Sequence, residues 1–229
     1  MSYGYSEAGI GGLTLMVKKW ALVLFVIGML AGCGEQPAET IYQYLEAAVE
    51  LEETFELQQE PLQRAELREN EIFDEMIALG LGDLDEITRL ADEAIVSVEA
   101  REAMAVKEKT SLDESYKTFN KIESEIKNMK DEGLVTLLHS LVTNMQKRYD
   151  HFNNLHEIYM KTTAEDRALF EMLKTEELSL EELQTQINVV NELYVKVEKS
   201  KEDFNRTTDE YNQAKREFYE AAGLNVQYQ

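Results

Sequence analysis

The sequence predicts an all-α protein, an elongated up-and-down four-helix bundle with coiled-coil-like packing. Three observations carry this. Helix breakers are scarce beyond residue 33: the prolines are Pro37 and Pro61, and the glycines fall at 34, 80, 82, 133 and 223. Apolar residues recur at steps of three and four, the spacing that lines one helix face. No run alternates apolar and polar residues as a half-buried strand does. A spectrin-like three-helix bundle is the alternative, and it follows if Pro61 or the 175–179 break does not end an element as this reading supposes.

The first helix is expected over Ala38 to Leu79. Ile41, Leu45, Ala48, Leu51 and Phe55 keep helical spacing. Pro61 lacks a backbone donor and crowds the preceding turn, which predicts a kink near Gln58. Gly80 and Gly82 supply the C-terminal cap. Asp83 is a suitable N-cap for the second helix. That helix carries a near-heptad stripe from Leu84 through Val98, Ala105 and Leu112 to Met129, a pattern that winds neighbouring helices left-handedly. Arg101-Glu102 and Lys109 interrupt the stripe and point to a wetter layer in the core. Gly133 is read as its end. The third helix begins near Leu134 and carries Leu138, Leu141, Met145, Phe152 and Leu169. Ser179 with Glu182 three residues on is a capping-box signature for the fourth helix. This last helix repeats Leu183, Val190, Val197, Phe204, Tyr211 and Phe218 before Gly223 closes it. Helices of about 40–45 residues span roughly 60–70 Å, and short connections make sequence neighbours antiparallel.

The N-terminal region follows different rules. Lys18 and Lys19 precede Trp20 to Leu30, an uncharged apolar run of signal-peptide length and too short for an ordinary membrane span. It ends in Leu30-Ala31-Gly32-Cys33. Small residues before a cut site suit a segment held extended in a narrow peptidase groove. A cysteine at that position matches the bacterial lipobox, in which the thiol receives a diacylglycerol before cleavage between Gly32 and Cys33. Cys33 is the sole cysteine of the chain, so no disulfide competes for it. Two acyl chains anchor a soluble domain stably. Residues 16–32 are therefore expected to be a lipoprotein signal peptide, 33–37 a short linker and 38–229 the bundle domain. Residues 1–15 lack Lys and Arg and read as a disordered extension from a start assigned too early, with Met16 the true start.

Charge narrows the partners. The whole chain carries −22, and the exported part is one unit more negative, because Lys18, Lys19 and Glu7 are removed together. Such a surface repels polyanions. Nucleic acid is excluded as a partner, since binding it needs a basic patch against phosphates. Recruitment by anionic lipid is disfavoured for the same reason.

No catalytic constellation is legible. The di-iron bundles need Glu-x-x-His pairs, but Thr136, Arg148 and Asn153 stand three residues before His139, His151 and His156. There is no glycine-rich phosphate loop and no Gly-x-Ser-x-Gly elbow. Carboxylate pairs such as Glu176-Glu177 read as a solvated face. The chain is expected to have no cofactor, no metal site and no enzymatic activity. Its aromatics read first as packing at helical spacing. A sugar- or peptide-binding surface on the last helix is the other reading, formed by Asn205, Tyr211, Asn212, Phe218 and Tyr219, where amides and aromatics mix.

Several stretches together carry a family resemblance. They are Leu30-Ala31-Gly32-Cys33-Gly34, then Phe55 with Gln58-Gln59-Glu60-Pro61-Leu62, then Glu69, Glu71, Ile72 and Phe73, and finally Thr208, Tyr211-Asn212, Lys215, Phe218-Tyr219 and Ala222. With these the chain resembles the YkyA family of cell-wall-binding lipoproteins of Gram-positive bacteria, over essentially the whole exported part. The resemblance implies a four-helix up-and-down bundle and a protein held at the extracytoplasmic face of the cell membrane. It implies contact with the cell wall and assigns no catalytic residue. Peptidoglycan or another envelope protein is the expected partner. A helical scaffold that docks an envelope protein is the alternative, because heptad seams also pair between chains.

Overall fold

The computed structural model describes residues 37–80, 83–224 and 226. Its elements are α1 (Pro37–Glu50), α2 (Glu53–Leu79), α3 (Leu84–Phe119), α4 (Ile122–Ile126), α5 (Glu132–Leu173) and α6 (Leu180–Ala221). No strand occurs among the described residues. The all-α, up-and-down four-helix class is the observed one. The three-helix alternative is not, because the turn at Gly80 and the break at 174–179 both end elements.

The chain divides into two compact units. The first comprises 54–109 and 152–202. Its core joins Ile72, Phe73 and Met76 of α2 to Ala91, Ala94 and Val98 of α3, Leu169 and Phe170 of α5, and Val190 of α6. The second comprises described residues 37–53, 110–151 and those from 203 onward. There Ile41 and Leu45 of α1, Phe119, Ile122 of α4, Leu138 and Leu141 of α5, and Tyr211 and Phe218 of α6 form the core. Each large apolar side chain so buried contributes about 1.5–3 kcal/mol relative to exposure.

The buried positions follow the heptad rule closely. In α3, Ala94, Val98, Arg101, Ala105, Glu108 and Leu112 are all buried, at alternating steps of four and three. In α6 the same steps join Val197, Ser200, Phe204, Thr207, Tyr211, Ala214 and Phe218. Such seams let knobs on one helix enter holes on the next.

The helix ends are built locally. Asp83 Oδ1 accepts from the Glu86 amide at 3.2 Å, and Ser179 and Glu182 form the full reciprocal box, with Glu182 N to Ser179 Oγ at 3.2 Å and Ser179 N to Glu182 Oε2 at 3.1 Å. Gly80 and Gly223 adopt φ of 61° and 67°. At Gly223 the Leu224 amide reaches the Tyr219 carbonyl and the Gly223 amide the Glu220 carbonyl, which is a Schellman closure.

Three boundaries differ from expectation. Pro61 lies inside α2, and the interruption of the first segment falls upstream, at Leu51-Glu52. There the Leu51 carbonyl accepts from Ser111 Oγ of α3 at 2.6 Å, and Glu52 turns its carboxylate inward. The second helix pauses at Asn120-Lys121 and resumes as α4, with the amides of Lys121, Glu123 and Ser124 bonding three residues back instead of four. Gly133 begins a helix instead of ending one. Asp131 Oδ1 accepts from the amides of Gly133 at 2.8 Å and Leu134 at 3.1 Å, which makes Asp131 the N-cap of α5.

Candidate functional site

Each unit contains one buried arginine on its seam, and each arginine draws acidic and aromatic side chains from other segments. In the first unit, Arg101 of α3 is 0% exposed. Its Nη2 donates to Asp166 Oδ2 of α5 at 2.6 Å and its Nη1 to the Tyr194 hydroxyl of α6 at 2.9 Å. Tyr194 in turn donates to the same Asp166 oxygen at 2.9 Å. Two α2 carboxylates complete the ring, with Glu69 Oε2 at 3.3 Å and Glu66 Oε1 at 3.8 Å from Nη1. The Tyr159 hydroxyl donates to Glu66 at 3.0 Å, and its ring lies 5.5 Å from the guanidinium carbon. Seven residues along α3, buried Glu108 accepts from the Gln59 amide. Glu69 Oε1 and Arg101 Nε are buried without a partner.

Burial dominates the electrostatics here, because low polarisability penalises charge. It pushes the Glu69 carboxyl up to about 7 and Glu108 up to about 8. Burial opposes the charge on Arg101 as well, but the surrounding tyrosines and carboxylates outweigh it and keep the guanidinium ionised.

The second unit is balanced differently. Arg148 of α5 holds Glu52 in a two-pronged pair, Nη1 to Oε1 at 2.8 Å and Nη2 to Oε2 at 2.6 Å. Its Nε donates to Thr208 Oγ1 of α6 at 3.1 Å. The rings of Phe204 and Tyr211 lie 5.3 and 5.6 Å from the guanidinium carbon. Ser115 of α3 adds a donor to Glu52 Oε1 at 2.8 Å. Burial raises the Glu52 carboxyl, but the Arg148 charge and its hydrogen bonds exceed that and hold it below the ordinary range. Buried Lys215 sits 6.0 Å from the centre of the Tyr211 ring and 5.9 Å from that of Tyr219, and desolvation pushes its ammonium down.

The residues singled out from sequence are distributed unevenly. Tyr211, Phe218 and Tyr219 are core side chains, and the Tyr219 hydroxyl is spent on Glu46 at 2.7 Å. Asn205 and Asn212 are half-buried. The five do not form an open aromatic face, because heptad spacing turns Tyr211 and Phe218 inward. Gly32, Cys33 and the whole signal segment lie outside the described residues. His139 is exposed, His151 and His156 are half-buried, and no cluster able to hold a metal occurs among the described residues. No described helix is long and apolar enough to cross a membrane.

Sequence reasoning flagged Arg101 as an interruption of the stripe but did not read Arg148, Glu52, Glu69 or Asp166 as inward-facing charges. The signal was available. Ile41, Leu45, Ala48 and Glu52 run at steps of four, three and four, as do Leu141, Met145, Arg148 and Phe152 and, again, Thr162, Asp166, Leu169 and Leu173. A charge on a seam position is a buried charge.

Fold and site together define a helical-bundle protein with charged layers set into its heptad seams. The chain belongs to the YkyA family, described as "Putative cell-wall binding lipoprotein", which matches residues 36–221. It is 30% identical over 199 residues to the "Uncharacterized lipoprotein YkyA" of Bacillus subtilis (strain 168), covering 86% of this chain and 89% of that relative. A solved structure of a conserved protein of unknown function from Staphylococcus aureus shares the fold. Its TM-score is 0.57 at 13% identity, over 83% of this chain and 98% of that one.

Proposed function

We propose that this protein is a lipid-anchored lipoprotein of the extracytoplasmic membrane face that binds the cell wall. The observation that carries the reading is the lipobox Leu30-Ala31-Gly32-Cys33, placed just ahead of a family match that begins at residue 36. Cys33 is the lipidated residue, and the cut falls between Gly32 and Cys33. The role is binding without catalysis. A formal charge of −22 disfavours direct contact with anionic wall polymer, so the ligand is peptidoglycan or a wall protein. With Tyr211, Phe218 and Tyr219 packed inside, exposed groups on other faces would make the contact, with half-buried Asn205 and Asn212 as the remaining candidates on α6.

Two experiments test this. Mass spectrometry and fractionation compare native Cys33 with Cys33→Ala. A diacylglyceryl N-terminus lost together with membrane association supports the anchor, and identical behaviour of the two forms overturns it. Retention on purified, teichoic-acid-free peptidoglycan above a control protein supports wall binding, and failure to be retained overturns peptidoglycan as the ligand.

A second reading, a scaffold docking another envelope protein, draws on the exposed apolar side chains Leu57, Val96, Val106, Leu180 and Val195 of the first unit. Crosslinking in cells through these positions would capture a discrete protein on this reading and none if the ligand is peptidoglycan.

A further inference from the structure

We propose that the buried layer around Arg101 is a proton-responsive element, which stores protons on its carboxyls in the folded state and loosens the first unit as rising pH removes them. The inference goes beyond wall binding and rests on charge count and geometry. Three carboxylates stand at 2.6, 3.3 and 3.8 Å from one guanidinium, and Glu108 adds a fourth on the same helix as Arg101. One cation cannot neutralise four anions where water is scarce, and like charges held close oppose joint ionisation. Asp166 is the natural ionised partner, since it accepts from both Arg101 and Tyr194. Glu69 Oε1 is buried and has no partner. An oxygen so placed is poorly suited to negative charge and well suited to carrying a proton.

The surrounding groups come from all four helices. From α2 they are Glu66 and Glu69, from α3 Arg101 and Glu108, from α5 Tyr159, Glu165 and Asp166, and from α6 Tyr194 and Lys201. Lys201 also acts on Glu66, and its ammonium is paired with Glu198 at 2.6 Å. Hydrogen bonds from Ser97 to Glu69 and from Gln59 to Glu108 offset only part of the burial. Burial accordingly lifts Glu69 to about 7 and Glu108 to about 8, from an ordinary value of 4.5. Between 4.5 and about 8 the folded unit binds more protons than the unfolded chain does. Its stability is therefore full below that window, falls as pH rises through it, and levels off above. The Arg148 layer, with one carboxylate gripped by one guanidinium, has no such excess.

Hydrogen exchange of the full chain, followed by mass spectrometry at pH 6 and pH 9 and corrected for intrinsic rates, tests the proposal. Protection in 54–109 and 152–202 should fall at least about tenfold at pH 9, while 110–151 changes little. The double variant Glu69→Gln, Glu108→Gln mimics the protonated acids and should abolish the difference. Equal loss in both units, or a double variant that keeps the native pH response, overturns the proposal. Should the variant fail to fold, carboxyl carbon shifts of Glu69 and Glu108 in the native chain decide. Titration above pH 6 supports the element, and titration near 4.5 refutes it.

Discussion

Glu52 and Arg148 meet through two hydrogen bonds of 2.8 and 2.6 Å, although 96 residues separate them. Glu52 occupies the gap between α1 and α2, so the pair fixes the one place where the first helical segment is interrupted. Removing one partner strands the other. Glu52→Ala leaves the Arg148 guanidinium buried and should cost about 3 kcal/mol, the low end for a broken buried pair because Glu52 is partly exposed. Replacing both with apolar residues, Glu52→Leu with Arg148→Met, should cost much less than the sum. Urea unfolding followed by circular dichroism measures both.

The same pair sets an acid limit. Glu52 is held below its ordinary value of 4.5 by Arg148. A lowered carboxyl contributes stability that is present above 4.5 and lost as pH falls through its folded value. The second unit should thus weaken on acidification, and Glu52→Gln should flatten that part of the profile. Acid titration of helicity in the two proteins checks this. Glu69 and Glu108 act with the opposite sign, since their carboxyls are raised.

Helix ends offer cleaner tests. Ser179→Ala removes half of the reciprocal box with Glu182 and should cost about 1 kcal/mol. Gly80→Ala and Gly223→Ala place a Cβ in open space, with nothing within 4 Å, so their cost is purely the left-handed backbone. It should be about 1 kcal/mol each. A cost well above that for either glycine, measured by thermal unfolding, would point to packing the structure does not contain.

Pro61 stands within α2 without ending it. It leaves the Leu57 carbonyl without its helical donor. Pro61→Ala restores that donor and should raise the stability of the chain by about 1–3 kcal/mol. Loss of stability in urea would mean that packing of the half-buried ring outweighs the missing bond.

What was legible in the sequence was what local chemistry decides. Ser179 with Glu182, Asp83, Gly80 and Gly223 were readable as caps because each acts within a few residues. The α6 seam was readable because Val197, Phe204, Tyr211 and Phe218 repeat by sevens. What escaped was decided at long range. The break at Leu51-Glu52 depends on Ser111, Ser115 and Arg148, all distant in sequence. Gly133 is a local exception, a glycine that reads as a stop and is the second residue of a helix because Asp131 takes its amide. The aromatics near the C-terminus mix with amides in the manner of a binding face, yet the heptad phase sends Tyr211 and Phe218 inward.

The α6 seam also acts as a ruler. Buried side chains recur by threes and fours from Val197 to Phe218, so chain length there is quantised. Inserting one residue near Ser200 turns everything beyond it by about 100° and carries Phe204 and Tyr211 out toward water. Inserting seven adds two turns with a drift of only about 20° and preserves the face. An added heptad, matched by equal additions in the helices it packs against, is the length change this seam accepts with its buried face intact.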